Sequence, residues 1–225
     1  MRKIISVLVS FILIVWVGVS AAKKDLEIQG KKVISQKPPF TITLPVELNL
    51  VDFFSHENPG ESSLTRIYFL VKPKGKQIEE MLILQVADKT NPQASPMTAP
   101  LLKPYTEERM YQKGKIKKGD LEMNYLIQLM AWNPDASSLQ SMVQKGFVIP
   151  SHWALQGQFL FLYQGEHAVF FRYSKDVQTF GVKVSEKGND WNKGLISGSE
   201  KKVYETFQKI FMEMIHSIQI KNLSK

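Results

Sequence analysis

The sequence predicts an α+β fold: an antiparallel β-sheet covered by a long C-terminal helix. Three observations predict it. Leu121–Trp132 alternates with period two, placing Leu121, Met123, Tyr125, Ile127 and Leu129 on one face. Two apolar runs, Gln158–Tyr163 and Ala168–Tyr173, flank the short Gly-containing segment Gln164–His167, which signals a hairpin. From Lys201 to Ile218, the residues Val203, Phe207, Ile210, Phe211, Met214, Ile215 and Ile218 recur at helical spacing and form one stripe.

The chain opens on Met1-Arg2-Lys3, an uncharged apolar run from Ile4 to Val19, and then Ser20-Ala21-Ala22. A basic start, an apolar middle and small residues before a polar segment make a secretory signal peptide over residues 1–22. The run is short of the roughly 20 residues that span a bilayer. A retained anchor is the alternative. Residues 23–225 then form a single exported α+β domain, periplasmic or secreted, of a size that buries a full core.

The elements of that domain follow in order. Gly30–Ser35 is a short strand or lead-in. In "PPFTITLP", Phe40, Ile42 and Leu44 alternate with Thr41 and Thr43, and Pro45 ends the run. Val46, Leu48 and Leu50 resume the alternation. Ser55–Ser63 is rich in turn residues and predicts a loop. Leu64–Pro73 and Met81–Asp88 are strands joined by a turn at Lys74-Gly75-Lys76, the second strand apolar enough to be central. Pro92, Pro96, Pro100 and Pro104 forbid a helix or central strand, so Lys89–Pro104 is a long loop. Tyr105–Tyr111 is a strand or a helical turn, and Lys117–Asp120 a hairpin turn. Ser137–Lys145 is a short helix with Ser138 as its cap. The closing helix is capped by Ser197 or Ser199, with Glu200 and Glu205 near its positive end and Lys221 beyond its negative end.

Composition excludes several chemistries. The chain has no Cys, which rules out disulfides, thiolate metal sites, a Cys nucleophile and a lipid on cysteine. The formal charge is +8, of which Arg2 and Lys3 supply two. Export makes nucleic acid an unsuitable partner for this charge. An anionic envelope component or an envelope protein suits it better.

The four His are His56, His152, His167 and His216, and none lies four residues from another. In "FLFLYQGEHAVFFRY", Glu166 and His167 stand together between the two apolar runs, and a hairpin tip accounts for them. No G-x-S-x-G elbow and no phosphate-binding glycine loop occur. Ser199-Glu200-Lys201-Lys202 has the letters S-x-x-K without the partner motifs. Glu79-Glu80 and Glu107-Glu108 point apart if extended. No catalytic residue, metal ligand or cofactor is expected.

Two groups are candidates for a binding surface. Lys113, Lys115, Lys117 and Lys118 form a basic ribbon at a hairpin turn, which also reads as a sheet edge protected by charge. Trp132 and Trp153, with Trp191, fall at strand ends or in loops, where Trp serves either an interface or the closing of the sheet.

The order of elements resembles the PsbP-like family, exported accessory subunits best known beside photosystem II. Three patches carry the resemblance: "PPFTITLP", "GQFLFLYQGEHAVFFRY" and "VYETFQKIFMEMIHSIQI". It implies an α/β/α sandwich around a central antiparallel sheet covered by helices, and a non-catalytic accessory role. No metal-binding residue is carried over from it. The expected function is an exported, non-enzymatic accessory or binding protein of the bacterial envelope. The alternative is an envelope hydrolase that uses a His and a carboxylate. Membrane contact is expected only if Ile4–Val19 is retained.

Overall fold

The computed structural model describes residues 25–150, 152–196 and 198–221. The signal segment 1–22 and the proposed cap Ser197 lie outside the described residues.

Two antiparallel sheets organise these residues. The large sheet has seven strands: β4 (Asn49–Asn58), β5 (Ser63–Lys74), β6 (Gln77–Lys89), β7 (Tyr111–Lys118), β8 (Leu121–Ala131), β9 (Trp153–Tyr163) and β10 (His167–Asp176). Their spatial order is β4-β5-β6-β10-β9-β8-β7. The small sheet is β1 (Leu26–Gln29), β2 (Lys32–Gln36), β3 (Pro39–Thr43) and β11 (Gln219–Ile220), in that order. Two helices complete the fold, α1 (Gln140–Gln144) and α2 (Gly198–His216).

The large sheet is two meanders sewn together along β6 and β10. Val86 pairs with Val169 and Leu84 with Phe171 in that seam. The β9–β10 tip turns at Gln164 (φ 55°) and Gly165 (φ 69°), two successive left-handed residues that suit the twist of a tight hairpin. Pro73 sits at a register shift between β5 and β6, where its missing N–H breaks no ladder bond.

The inner face of the sheet carries the main core. Phe40 of β3 meets Phe161 and Phe171 edge-on, at 6.0 and 5.6 Å between ring centres. Helix α2 lies beside the small sheet on this face. Phe207 stacks on Tyr173 at 5.9 Å, and Phe211 approaches Phe159 at 6.0 Å. Gly157 of β9 makes room for that ring. A Cβ there would lie 2.3 Å from Cδ2 of Phe211. On the outer face a smaller cluster forms where Trp132, Leu139 and Met142 cover Phe69 and Val71.

The expected fold class is corrected by this architecture. The fold is mostly β, built from two antiparallel sheets, and it is neither an α/β/α sandwich nor a sheet roofed by a long covering helix. The small sheet takes much of the inner face, and on the outer face α1 spans only five residues. The physical reason is long-range pairing. Strand β11 is two residues long and pairs with β3, as Gln219 with Thr41 and Ile220 with Phe40. No local period announces such a pair.

Smaller differences have equally local causes. Ser55–Asn58 is strand, because it completes the β4 ladder against Ser63–Arg66 while its side chains face solvent. Ser138 caps nothing: the turn before α1 begins at Ala136 with no side-chain cap. Ile210 is half-buried, and Tyr204 takes its place in the buried stripe. The cation at the C-terminal end of α2 comes from β7. Lys118 Nζ donates to the carbonyl oxygens of His216, at 2.8 Å, and Ile218. A cation there satisfies carbonyls that the helix leaves unpaired.

Candidate functional site

Topology creates a cleft on the outer face. Strand β6 lies inside the sheet and β7 at its far edge, four strand spacings away, roughly 19 Å. The chain between them, residues 90–110, must cross that distance without joining the sheet. Four prolines keep it extended and out of the ladder. It forms a strap over the outer face, pinned at both ends. Lys89 N donates to Glu166 O at 2.8 Å and Thr90 N to Ser62 O at 2.7 Å. Met97 N donates to Gly165 O at 2.9 Å, which ties the strap to the β9–β10 tip. Tyr105 N donates to Oε1 of Gln128 at 2.6 Å, which ties it to β8.

Between strap and sheet lies a cleft of about 550 Å³. Its floor combines Thr65, Gln85, Ala87, Leu160 and Phe170, and Met97 and Pro100 overhang it. His56, Asn58 and Glu61 stand at one side, on β4 and the turn that follows it. The strap also holds two of the largest exposed apolar side chains, Leu101 at 79 % and Tyr105 at 66 %. An extended, anchored segment that keeps apolar groups in water beside a cleft is well placed to close on a ligand.

Two His–carboxylate pairs form, at opposite ends of β10. His167 Nδ1 is 2.6 Å from Asp88 Oδ1, and the other oxygen of Asp88 is 2.6 Å from Arg66 Nη2. Arg66 also pairs with Asp25 and donates to Lys37 O at 2.7 Å. Asp25 and Lys37 flank the small sheet, so this network clamps the two sheets together. It explains His167, whose ring is anchored to a buried carboxylate as well as sitting at a hairpin tip. No spacing in the sequence joins Asp88 to residue 167. The only signal was a charged residue ending an apolar strand.

At the other end, His152 Nε2 is 2.8 Å from Asp176 Oδ1. His152 and Trp153 line a pocket of about 400 Å³ with Val177, Gln178 and Val182. The same Asp176 oxygen accepts Gln178 N at 2.9 Å, so the pair also holds the turn that ends β10. Among the described residues, no three His, Asp or Glu side chains are placed to hold a metal ion. A third buried carboxylate, Glu80, accepts the Tyr173 hydroxyl and faces Lys175 at 3.2 Å and Lys72 at 3.4 Å. Burial, then the Glu80 charge, pushes the Tyr173 hydroxyl far up, so it stays a donor.

The candidate surface residues scatter. Lys113, Lys115 and Lys117 do line a free edge, since β7 ends the seven-stranded order. Lys115 pairs with Glu122 at 2.7 Å in the open, Lys113 lies over the Tyr111 ring, and Lys118 caps α2. Charge protection of the edge accounts for the ribbon. Trp132 is 5 % exposed and belongs to the outer core. Trp153 lies beneath the Arg109 guanidinium at 4.3 Å, and its Nε1 donates to Ser185 O at 3.0 Å. None of these six residues lines the strap cleft.

The PsbP-like resemblance rests on the three sequence patches alone. No family model, no curated protein and no solved structure matches the chain.

Proposed function

We propose that this chain is an exported, non-enzymatic binding protein of the bacterial envelope, whose ligand lies in the cleft beneath the strap. The observation that carries the reading is the strap itself: a proline-rich segment, anchored at both ends, that holds a mixed polar and apolar cleft open against a rigid sheet. Concave sites of this size, which combine apolar side chains with a few convergent polar groups, are where small ligands bind. The three buried carboxylates Glu80, Asp88 and Asp176 each have a cation or His partner, which favours structural over catalytic roles for them. The signal-like N-terminus supports export.

Ala87→Trp tests the reading. Ala87 is half-buried on the cleft floor, and an indole there fills the cleft from the sheet side. Protein isolated from the envelope is expected to carry a stoichiometric small-molecule adduct in native mass spectrometry, and the variant is expected to lack it. A wild-type protein without an adduct, or an adduct that Ala87→Trp retains, contradicts the proposal.

A further inference from the structure

The cleft beneath the strap owes its depth to two alanines. Ala87 of β6 and Ala168 of β10 stand opposite each other in the ladder. Both line the cleft, as do Gln85 and Phe170, the next pair on the same face. Two methyl side chains on neighbouring strands leave a hollow in the outer face, and the Gln85–Phe170 pair walls it. The two strands lie about 4.8 Å apart, close to the width of a six-membered sugar ring.

The groups around this hollow are mostly polar and neutral. Asn58, Gln85, Ser95 and Thr98 line the cleft and are half-buried or exposed, so a ligand can reach them. Amide and hydroxyl side chains each donate and accept. Asn58 uses one N–H on Thr65 Oγ1, at 3.3 Å. Gln85 is half-buried, and its amide makes no hydrogen bond to protein among the described residues. Lys89 and Glu61 also line the cleft, with opposite formal charges. Lys89 Nζ is turned to the strap, where it donates to Pro92 O at 3.0 Å.

These features select a ligand class. An apolar ligand would strip water from the Gln85 amide and return no hydrogen bond. An anion gains from Lys89 what it loses to Glu61. A free amino acid would use those two charges and leave the neutral groups unmatched. A sugar meets them all: its hydroxyls donate and accept as the amide and hydroxyl side chains do, and its C–H face suits the electron-rich face of an aromatic ring. Phe170, half-buried beside Ala168, supplies that ring.

We propose that the strap cleft binds a neutral saccharide of one or two rings, one ring seated over Ala87 and Ala168 against Phe170, with hydroxyls bonded to Gln85, Asn58 and the strap's Ser95 and Thr98. The proposal rests on the strap cleft being the binding site.

Isothermal titration with maltose, cellobiose and N,N′-diacetylchitobiose, beside octanoate and phenylalanine, tests it. At least one disaccharide is expected to bind about 10-fold or more tightly than either charged probe. Gln85→Leu keeps the shape of the wall and removes the amide, and it is expected to weaken that disaccharide about 5-fold or more. Ala87→Trp is expected to abolish its binding. Failure of all three disaccharides to bind, a charged probe that binds as tightly as the best of them, or a disaccharide affinity unchanged in Gln85→Leu or in Ala87→Trp overturns the saccharide assignment. The cleft reading survives each of these results if Ala87→Trp still removes the adduct of the envelope-derived protein. It falls together with the assignment if disaccharide binding and the adduct both persist in Ala87→Trp.

Discussion

Phe211→Ala is expected to destabilise the protein by about 3–5 kcal/mol. The ring is fully buried and stands over the one position of β9 without a side chain, Gly157. Removing it leaves a cavity that a rigid sheet floor does not fill. Gly157→Ala attacks the same contact from below. Its new Cβ would lie 2.3–2.5 Å from three carbons of the Phe211 ring, so the helix or the ring must move, at a cost of about 1–3 kcal/mol. Because the two changes compete for one volume, they are not additive. In the Phe211→Ala background, Gly157→Ala is expected to cost at least about 1 kcal/mol less than it does alone. Glu213→Ala, on the exposed side of the helix, is the control, expected within about 0.5 kcal/mol of wild type. Urea unfolding of the four proteins measures the cycle. Strict additivity would mean that Phe211 and Gly157 are not in contact.

Asp88→Ala is expected to cost a similar amount, about 3–5 kcal/mol. Asp88 is 4 % exposed and answers two groups at once, the Arg66 guanidinium and the His167 ring. Without it, Arg66 loses its buried counter-charge and keeps the half-exposed Asp25 as its carboxylate partner. His167→Ala removes one hydrogen bond and leaves the Arg66–Asp88 pair whole, so about 0.5–1.5 kcal/mol is expected. With total stability of roughly 5–15 kcal/mol for a domain of this kind, the first change threatens folding and the second does not. Denaturant midpoints of the two variants decide the matter. An Asp88→Ala cost no larger than that of His167→Ala would mean that the guanidinium finds its counter-charge elsewhere.

The parts of the fold legible in the sequence are those with a local period. The β9–β10 hairpin announces itself because both runs are apolar and the turn residues Gln164 and Gly165 lie between them. The α2 stripe is legible for the same reason, although the sequence does not say that a second sheet lies beside it. The pairing of β11 with β3 depends on chain segments far apart in sequence, and two residues carry no period. The strap was legible as a loop from its prolines. Its path across the sheet was not, because that path follows from β7 taking the far edge. The candidate site was almost illegible. Its floor draws Thr65, Gln85, Ala87, Leu160 and Phe170 from four different strands, and no local period gathers residues so far apart in sequence. The lysine ribbon lies on the β7 edge and Trp132 in the outer core, positions that composition does not separate from a binding surface.

The central claim is that the cleft beneath the strap binds a small molecule. Native mass spectrometry of the protein isolated from the envelope, beside its Ala87→Trp variant, tests it most directly. The account predicts a stoichiometric small-molecule adduct on the wild-type protein that the variant lacks. A wild-type protein without an adduct, or an adduct that Ala87→Trp retains, would contradict it.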